Sequence, residues 1–267
     1  MKEIQEKLHA IQEQENVQIF YACESGSRAW GFPSQNSDYD VRFLYVRPKD
    51  WYLSVDLEDR RDVIELPIEG DLDINGWDVR KALKLLRNSN PPLLEWLTSP
   101  IVYLEDRETI EIVRSLVPKC YSPTACMYHY LQMARGNNRE YLKGDVVPVK
   151  KYFYVLRPLL AIKWIEAKFD VMPMEFGILL DHGIPQSDLK KEIETLIERK
   201  KNGQELDREP RIGIINDFIE RELKRLESKT PDKRSDKLPI DSINEVFRSI
   251  VDQSQIANRN SQIQECA

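Results

Sequence analysis

"ESGSRAWGFPSQNSDYD", Glu24 to Asp40, is the stretch on which the fold turns. It follows an apolar run, "VQIFYA" (17–22), that reads as a strand, and it ends by opening a second run, "DYDVRFLYV" (38–46). A core strand wants neither a Gly-Ser pair just past its exit nor two aspartates one residue apart at its entrance. Strand side chains alternate between faces, so Asp38, Asp40 and Arg42 share one face while Tyr39, Val41, Phe43 and Tyr45 share the other. The apolar row is the core face. The two aspartates then stand about 7 Å apart at their Cα atoms, close enough to converge on a cation and costly together without one. An all-oxygen donor set suits a hard ion, Mg2+ or Mn2+, which takes water and substrate phosphates as its other ligands.

The Gly-Ser half supplies a complementary surface. Gly26 lets backbone approach a phosphate closely, and Ser27 offers a hydroxyl and an amide at what reads as the start of a short helix, "SRAWG". A further carboxylate is expected on an adjacent strand. In "GDLDING", Leu72 and Ile74 share the core face, leaving Asp71, Asp73 and Asn75 on the other. Asp73, in mid-strand, is the choice, to bind a second metal or orient an attacking hydroxyl; Asp71, nearer the turn, is the alternative, and Asp78 is read as the cap of the next helix.

Working outward, Ile4, Leu8 and Ile11 give a helix over 2–13, and "DVIELP" (62–67) and "DLDIN" (71–75) read as a hairpin turned by Glu69-Gly70. In "GWDVRKALKLLRNSN", Val79, Leu83 and Leu86 line one helical face, and Pro91-Pro92 starts the short "PLLEWL" segment. Beyond residue 115 the pattern is helical: Ser122-Pro123 as a cap and first turn, a long segment over about 149–169, and three charged amphipathic helices between about 187 and 250. The segment 227–237 reads as a charged surface loop and the last dozen residues as frayed. The expected class is α+β, in two domains: a mixed sheet with flanking helices over 1–115 and an all-helical domain over 116–267.

Composition excludes several classes. With 267 residues and 41% hydrophobic content the chain can bury a full core, while a net charge of -6 argues against coating long nucleic acid by general electrostatics. Any polyanion must be held at a defined site. "MKEIQEKLHAIQEQENVQ" lacks the apolar core of a signal peptide and no 18 apolar residues run together, so a soluble, cytoplasmic protein without a membrane partner is expected. Cys23, Cys120, Cys126 and Cys266 lack the density of a disulfide framework. Cys120, Cys126 and His129 are spaced too loosely for a zinc knuckle; the cysteines read as small core positions, His129 as a satisfied, partly buried residue, and His9 and His182 as surface and loop residues.

The helical half offers a second wall for a cleft. Lys150, Tyr154 and Arg157 recur at i, i+4 and i+7, with Lys151 alongside, combining positive charge for phosphate with a ring for a base. Arg135, Asn138 and Arg139 repeat the idea on an earlier helix. The alternative for each stripe is a solvated face.

The order helix, strand, "GS", short helix, "DYD" strand and later "DLDI" strand resembles the DNA polymerase beta superfamily of nucleotidyltransferases. The wording "ESGSRAWGF", "SDYDVRFLYV", "DINGWDVRKALKLL", "PPLLEWL" and "KKYFYVLRPLLA" is similar to its RlaP-like branch, associated by name with RNA repair. The resemblance reaches to roughly residue 180 and is most specific in the first hundred residues. It implies a nucleotidyltransferase palm with a helical partner domain, Gly26 and Ser27 at a nucleoside triphosphate, Asp38 and Asp40 as metal ligands and Asp73 as the third carboxylate. Arg28, beside the cradle, and Arg42, on the aspartate face, complete the expected nucleotide-binding set with Lys150, Lys151, Tyr154 and Arg157. The expected reaction moves a nucleoside monophosphate to a hydroxyl with release of pyrophosphate. The acceptor is left open between an RNA end, a protein side chain as in antitoxin-like members, and a small molecule; oligomeric state is also open. A non-catalytic nucleotide-binding or interaction module on the same fold is the other class, and the presence of all three carboxylates with the Gly-Ser pair favours the enzyme.

Overall fold

The structure, a computed structural model, describes residues 1–168, 170–203, 207–227 and 237–254. The tail read as frayed, and most of the segment read as a surface loop, lie outside the described residues. The first half runs α1 (Lys2–Glu15), β1 (Gln18–Glu24), β2 (Tyr39–Val46), α2 (Lys49–Tyr52), β3 (Val63–Glu65), β4 (Leu72–Asp78), α3 (Val79–Arg87), α4 (Pro91–Leu97), β5 (Val102–Glu105) and α5 (Arg107–Arg114). The second runs α6 (Val117–Cys120), α7 (Pro123–Tyr141), β6 (Val146–Pro148), α8 (Lys151–Lys168), α9 (Phe176–Gly183), α10 (Asp188–Lys201), β7 (Arg208–Pro210), α11 (Gly213–Glu227) and α12 (Ile240–Gln253). The class is α+β with a mixed sheet, as the sequence pattern predicts.

The five-stranded sheet has the order β3-β4-β2-β1-β5. β2 and β4 are parallel and the other pairs antiparallel. β3 and β4 form the expected hairpin, turned where Gly70 takes a φ of 63° and Glu69 bridges to Leu72. Alternation then sorts the side chains. Val41, Phe43 and Tyr45 of β2, with Leu72 and Ile74 of β4, face α1 and bury Ile4, Leu8 and Ile11. The opposite face is polar at the start of β2 and β4, where Asp40, Arg42 and Asp73 sit, and becomes apolar at Leu44 and Val46, which pack under α3.

Three features escape the periodicity reading. β5 is only four residues long, "VYLE", and lies at the sheet edge. β6 and β7 pair as a two-stranded ladder inside the helical half, immediately before α8 and soon after α10. Segments this short carry too few alternations to register as strands. "SRAWG" forms a hydrogen-bonded turn rather than the expected helix: the Trp30 amide donates to the Gly26 carbonyl at 3.0 Å and that of Gly31 to the Arg28 carbonyl at 3.2 Å, and nothing extends the spiral because Gly31 takes a φ of 90°.

One apolar cluster runs from Phe20 and Leu44 through Leu86 and Trp96 to Phe153, Leu160 and Ile219, so the two halves share a core. The loop from 25 to 37 is part of that junction. Phe32 is buried against Phe153 and Phe176, with ring centroids at 4.8 and 5.4 Å, and the Phe176 amide opening α9 donates to the Trp30 carbonyl at 3.0 Å. The loop is long because it anchors the sheet to the helices as well as carrying Gly26 and Ser27. No helix of the described residues is long and apolar enough to cross a membrane.

Candidate active site

β1 ends in Glu24, whose side chain is fully buried although it is an acid. Its Oε1 accepts the amides of Asp40 at 2.9 Å and Gly26 at 3.3 Å, and its Oε2 accepts the Tyr103 hydroxyl at 2.6 Å. One carboxylate thus joins the Gly-Ser loop to the first aspartate strand, and the Ser25 amide adds a bond to the Asp40 carbonyl at 2.9 Å. Gly26 lies so close to Asp40 that an added Cβ would stand 1.7 Å from its Oδ2 and 2.9 Å from its Cβ. Glycine is required here by close approach, its φ being unexceptional.

Around this joint is a cavity of about 410 Å3. Ser25, Gly26, Ser27, Trp30, Asp38 and Asp40 line the sheet side, with Ser34, Asn36 and Ser37 at the loop rim; Lys150, Tyr154 and Lys200 line the helical side. The β6–β7 ladder explains how Lys150, next to the start of α8, and Lys200, in the last turn of α10, reach one place.

The electrostatics reflect this convergence. Burial pushes the Asp40 carboxyl up from its ordinary value; Arg42 pulls it back, while Glu24, Asp73 and Asp38 push it further. The Tyr154 phenol is raised by burial and then by Asp40 and Asp38, so this ring faces the aspartates as expected, with its edge against Trp30 at 5.8 Å. Burial pushes the Lys200 ammonium down to about 8, against the pull of Asp40 and with help from Lys150. Its Nζ lies 4.6 Å from the Phe32 ring centroid.

Several expected ligands have other work. Arg157 is buried, with its Nη1 3.0 Å from Glu95 Oε2, Nη2 donating to the Met174 carbonyl at 3.3 Å and its guanidinium 4.9 Å from the Trp30 ring centroid. It supports the cavity from beneath and does not line it, because the α8 face it occupies turns into the helical core. Lys151 lies against the Tyr141 and Tyr154 rings at 4.1 and 4.6 Å, flanking the cavity. Arg28 stacks 3.7 Å from the Tyr39 ring centroid and donates to the carbonyls of Ser37 and Asp38 at 2.7 and 3.3 Å, bracing the loop rather than facing a ligand.

Asp73 is opposite Asp40 in the parallel ladder, which makes it, and not the exposed Asp71, the neighbour of the pair. It does not line the cavity, and its Oδ2 is held by Arg42 at 2.7 Å, with Arg42 also 3.3 Å from Asp40 Oδ1. Arg42 is therefore bound among the carboxylates instead of presented to a nucleotide. Among the described residues no three His, Cys, Asp or Glu side chains form a ready metal cluster, these aspartates included. Asp78 caps α3, accepting from the Arg80 amide at 2.7 Å, as predicted. Cys120 and Cys126 are free and buried, in line with the core reading.

Sequence reasoning passed over Glu24 and Lys200. For Glu24 the signal is its place, a lone charge at the end of a strand whose last six residues are all buried. Lys200 sits in "ERKKNG", where nothing separates it from the lysine beside it.

With this geometry described, comparison with known proteins is informative. Residues 1–249 match the family RlaP, described as the RNA repair pathway DNA polymerase beta family. The chain belongs to that family. Within reach of this RlaP-family chain is the protein YcgL of Bacillus subtilis (strain 168), uncharacterized by its printed name, which is 52% identical over 232 residues and covers 87% of this chain and 88% of its own. A crystal structure of a nucleotidyltransferase-like protein from Exiguobacterium sibiricum 255-15 aligns over 94% of this chain and 81% of its own at 10% identity, with a TM-score of 0.31. The RlaP-family assignment agrees with the resemblance carried by the Gly-Ser loop and the aspartate strands.

Proposed function

We propose that the protein transfers a nucleoside monophosphate from a nucleoside triphosphate to a hydroxyl acceptor, releasing pyrophosphate. The observation that carries this reading is a single cavity lined by the Gly26-Ser27 loop, by Asp38 and Asp40, and by Lys150, Tyr154 and Lys200 on the facing wall. The Ser27 hydroxyl and amide and the two ammonium groups hold the triphosphate. Tyr154 offers a face for a base.

Asp38 and Asp40 fit a hard divalent ion by their chemistry: both are oxygen donors lining one cavity, and burial, then the neighbouring acids, push the Asp40 carboxyl up, a cost that a cation offsets. Mg2+ or Mn2+ held there would offset charge on the phosphates and favour ionisation of a nearby hydroxyl. Asp73, beside Asp40 in the ladder and just outside the cavity lining, orients the acceptor hydroxyl and takes its proton once Arg42 releases it. The acceptor oxygen bonds to the α-phosphorus, the bond from that phosphorus to its bridging oxygen breaks, and pyrophosphate leaves with the electron pair. The family's description, an RNA repair pathway, favours an RNA end as acceptor.

A nucleotide-binding module without catalysis is the second reading, favoured by the engagement of Asp73 with Arg42. Pyrophosphate release is measured with each nucleoside triphosphate and Mg2+, and labelled nucleotides are incubated with total RNA and protein to find the labelled fraction. Release with at least one nucleotide, lost on replacing Asp38 or Asp40, is expected. Nucleotide binding without release or labelling would leave the second reading standing.

A further inference from the structure

Asp40 and Asp73 are cross-strand partners, and one pair further along the same face of the ladder Arg42 is partnered with Asn75. Arg42 is bound at four points. Its Nη2 reaches Asp73 Oδ2 at 2.7 Å and Asp40 Oδ1 at 3.3 Å, while its Nη1 donates to the carbonyls of Asp73 at 3.1 Å and Val41 at 3.0 Å. A guanidinium that spans two carboxylates on adjacent strands does electrostatically what a bridging divalent ion does.

The second observation lies one step away. Asn75 Nδ2 donates to Glu65 Oε1 at 3.2 Å, and its Oδ1 is buried with no hydrogen-bond partner among the described residues. A buried amide oxygen without a donor is costly and uncommon, and this one adjoins a side chain with five N–H groups. A cation entering beside Asp38 and Asp40 repels the guanidinium, and Asn75, the cross-strand partner of Arg42, offers an unsatisfied acceptor on that face of β4.

We propose that Arg42 is a built-in counter-cation: it bridges Asp40 and Asp73 while no divalent ion is bound, and it shifts along the ladder to Asn75 Oδ1 when an ion enters. The inference rests on the metal reading given under Proposed function. It makes Asp73 available only as the ion arrives, so the third carboxylate joins the site with the cation. By linkage, whatever strengthens the Arg42 bridge weakens ion binding by the same factor. Arg42 is on this account a positioning residue that acts through Asp73.

The test uses the full chain and Mn2+ alone, with free Mn2+ followed by electron paramagnetic resonance and unfolding followed thermally. Arg42→Gln is expected to bind Mn2+ about tenfold tighter than the wild type, the scale of one neighbouring charge acting on an ion site. Its metal-free form should melt lower than the wild type and regain more on adding Mn2+. Asn75→Ala should bind Mn2+ about threefold more weakly while Arg42 is present and show no such loss beside Arg42→Gln, a coupling that a merely structural role would not produce. Should Arg42→Gln fail to fold, Arg42→Lys keeps the charge without the fork, and a smaller gain is expected. Equal or weaker Mn2+ binding by the Arg42 variants, beside wild-type binding that depends on Asp38 and Asp40, would overturn the inference and leave the proposed function intact. No Mn2+ binding that responds to Asp38→Asn in any of these proteins would overturn the metal reading, and this inference with it.

Discussion

The sheet wall of the cavity draws Gly26, Ser27, Asp38 and Asp40 from one stretch, residues 25–40, whereas the helical wall draws Lys150 and Tyr154 from the start of α8 and Lys200 from the end of α10. The first wall is held by local bonds, above all the Glu24 carboxylate on the amides of Gly26 and Asp40. The second depends on how whole helices and the β6–β7 ladder pack. Chemistry set by strand alternation is fixed over a few residues, while chemistry set by helix packing depends on rotations that a sequence stripe does not specify. Substitutions on the two walls should therefore fail in different ways.

The largest effect is expected at Asp40. Asp40→Asn should lower transfer by at least about 10^3-fold, the scale of losing several kcal/mol of charge stabilisation. Its melting temperature should match or exceed the wild type, because burial and three neighbouring acids disfavour the Asp40 charge. Steady-state kinetics beside a thermal melt checks both; transfer within tenfold of the wild type would remove Asp40 from the chemistry.

Behind the helical wall the contrasting failure is loss of stability. Arg157→Met removes one partner of a buried pair whose side chains are 5% and 12% exposed, leaving Glu95 uncompensated. About 3 to 5 kcal/mol of unfolding free energy should be lost, with nucleotide affinity unchanged where the variant is still folded. A denaturant titration showing under about 1 kcal/mol of loss would mean that the pair is solvated.

Gly26→Ala tests the joint within the first wall. The new methyl meets the Asp40 carboxylate, which can turn away, and the Asp40 Cβ at 2.9 Å, which needs a small backbone shift, so the fold should survive with the joint displaced. Turnover should fall about 100-fold, as expected when a reacting group is misplaced by an ångström. A variant that melts several degrees lower yet keeps its turnover would show that the contact serves packing and not the site.

These contrasts indicate what was legible. β1, β2, β4 and the pairing of Asp38 with Asp40 follow from alternation, and Asp73 over Asp71 follows from its mid-strand place, because period two leaves no freedom once the core face is known. Tyr154 lines the cavity, whereas Arg157, three residues on, does not: on a helix, residues three apart differ by about 60° of rotation, enough to separate a cavity wall from a buried ion pair. Lys200 needed the contact between α10 and the Phe32 loop, which no local pattern encodes. Glu24 was hidden by its charge, since a fully buried acid is the exception that only its three hydrogen bonds explain.

The smallest effect should come from Lys200, and its pH dependence is the sharpest test of the helical wall. Lys200 helps to bind phosphate only as the ammonium. In the free protein burial lowers its pKa to about 8, so the cationic fraction falls as pH rises through that value. A bound triphosphate favours the charged form, hence nucleotide affinity should be greatest below about pH 8 and decline above it. Lys200→Met should weaken affinity about tenfold at pH 7, as one charge-assisted contact is worth roughly 1.5 kcal/mol, and should flatten the decline between pH 7 and 9. The stability term has its own sign: an unfolded lysine holds its proton to a higher pH than Lys200 does in the fold, so the wild type gains stability relative to Lys200→Met as pH rises from about 8 toward 10. Affinity and stability thus move in opposite directions with pH in the wild type, and neither movement should survive in the variant. If affinity declines identically in both proteins, the titrating group lies elsewhere, and Lys200 belongs to the packing of α10 on Phe32 and not to the nucleotide.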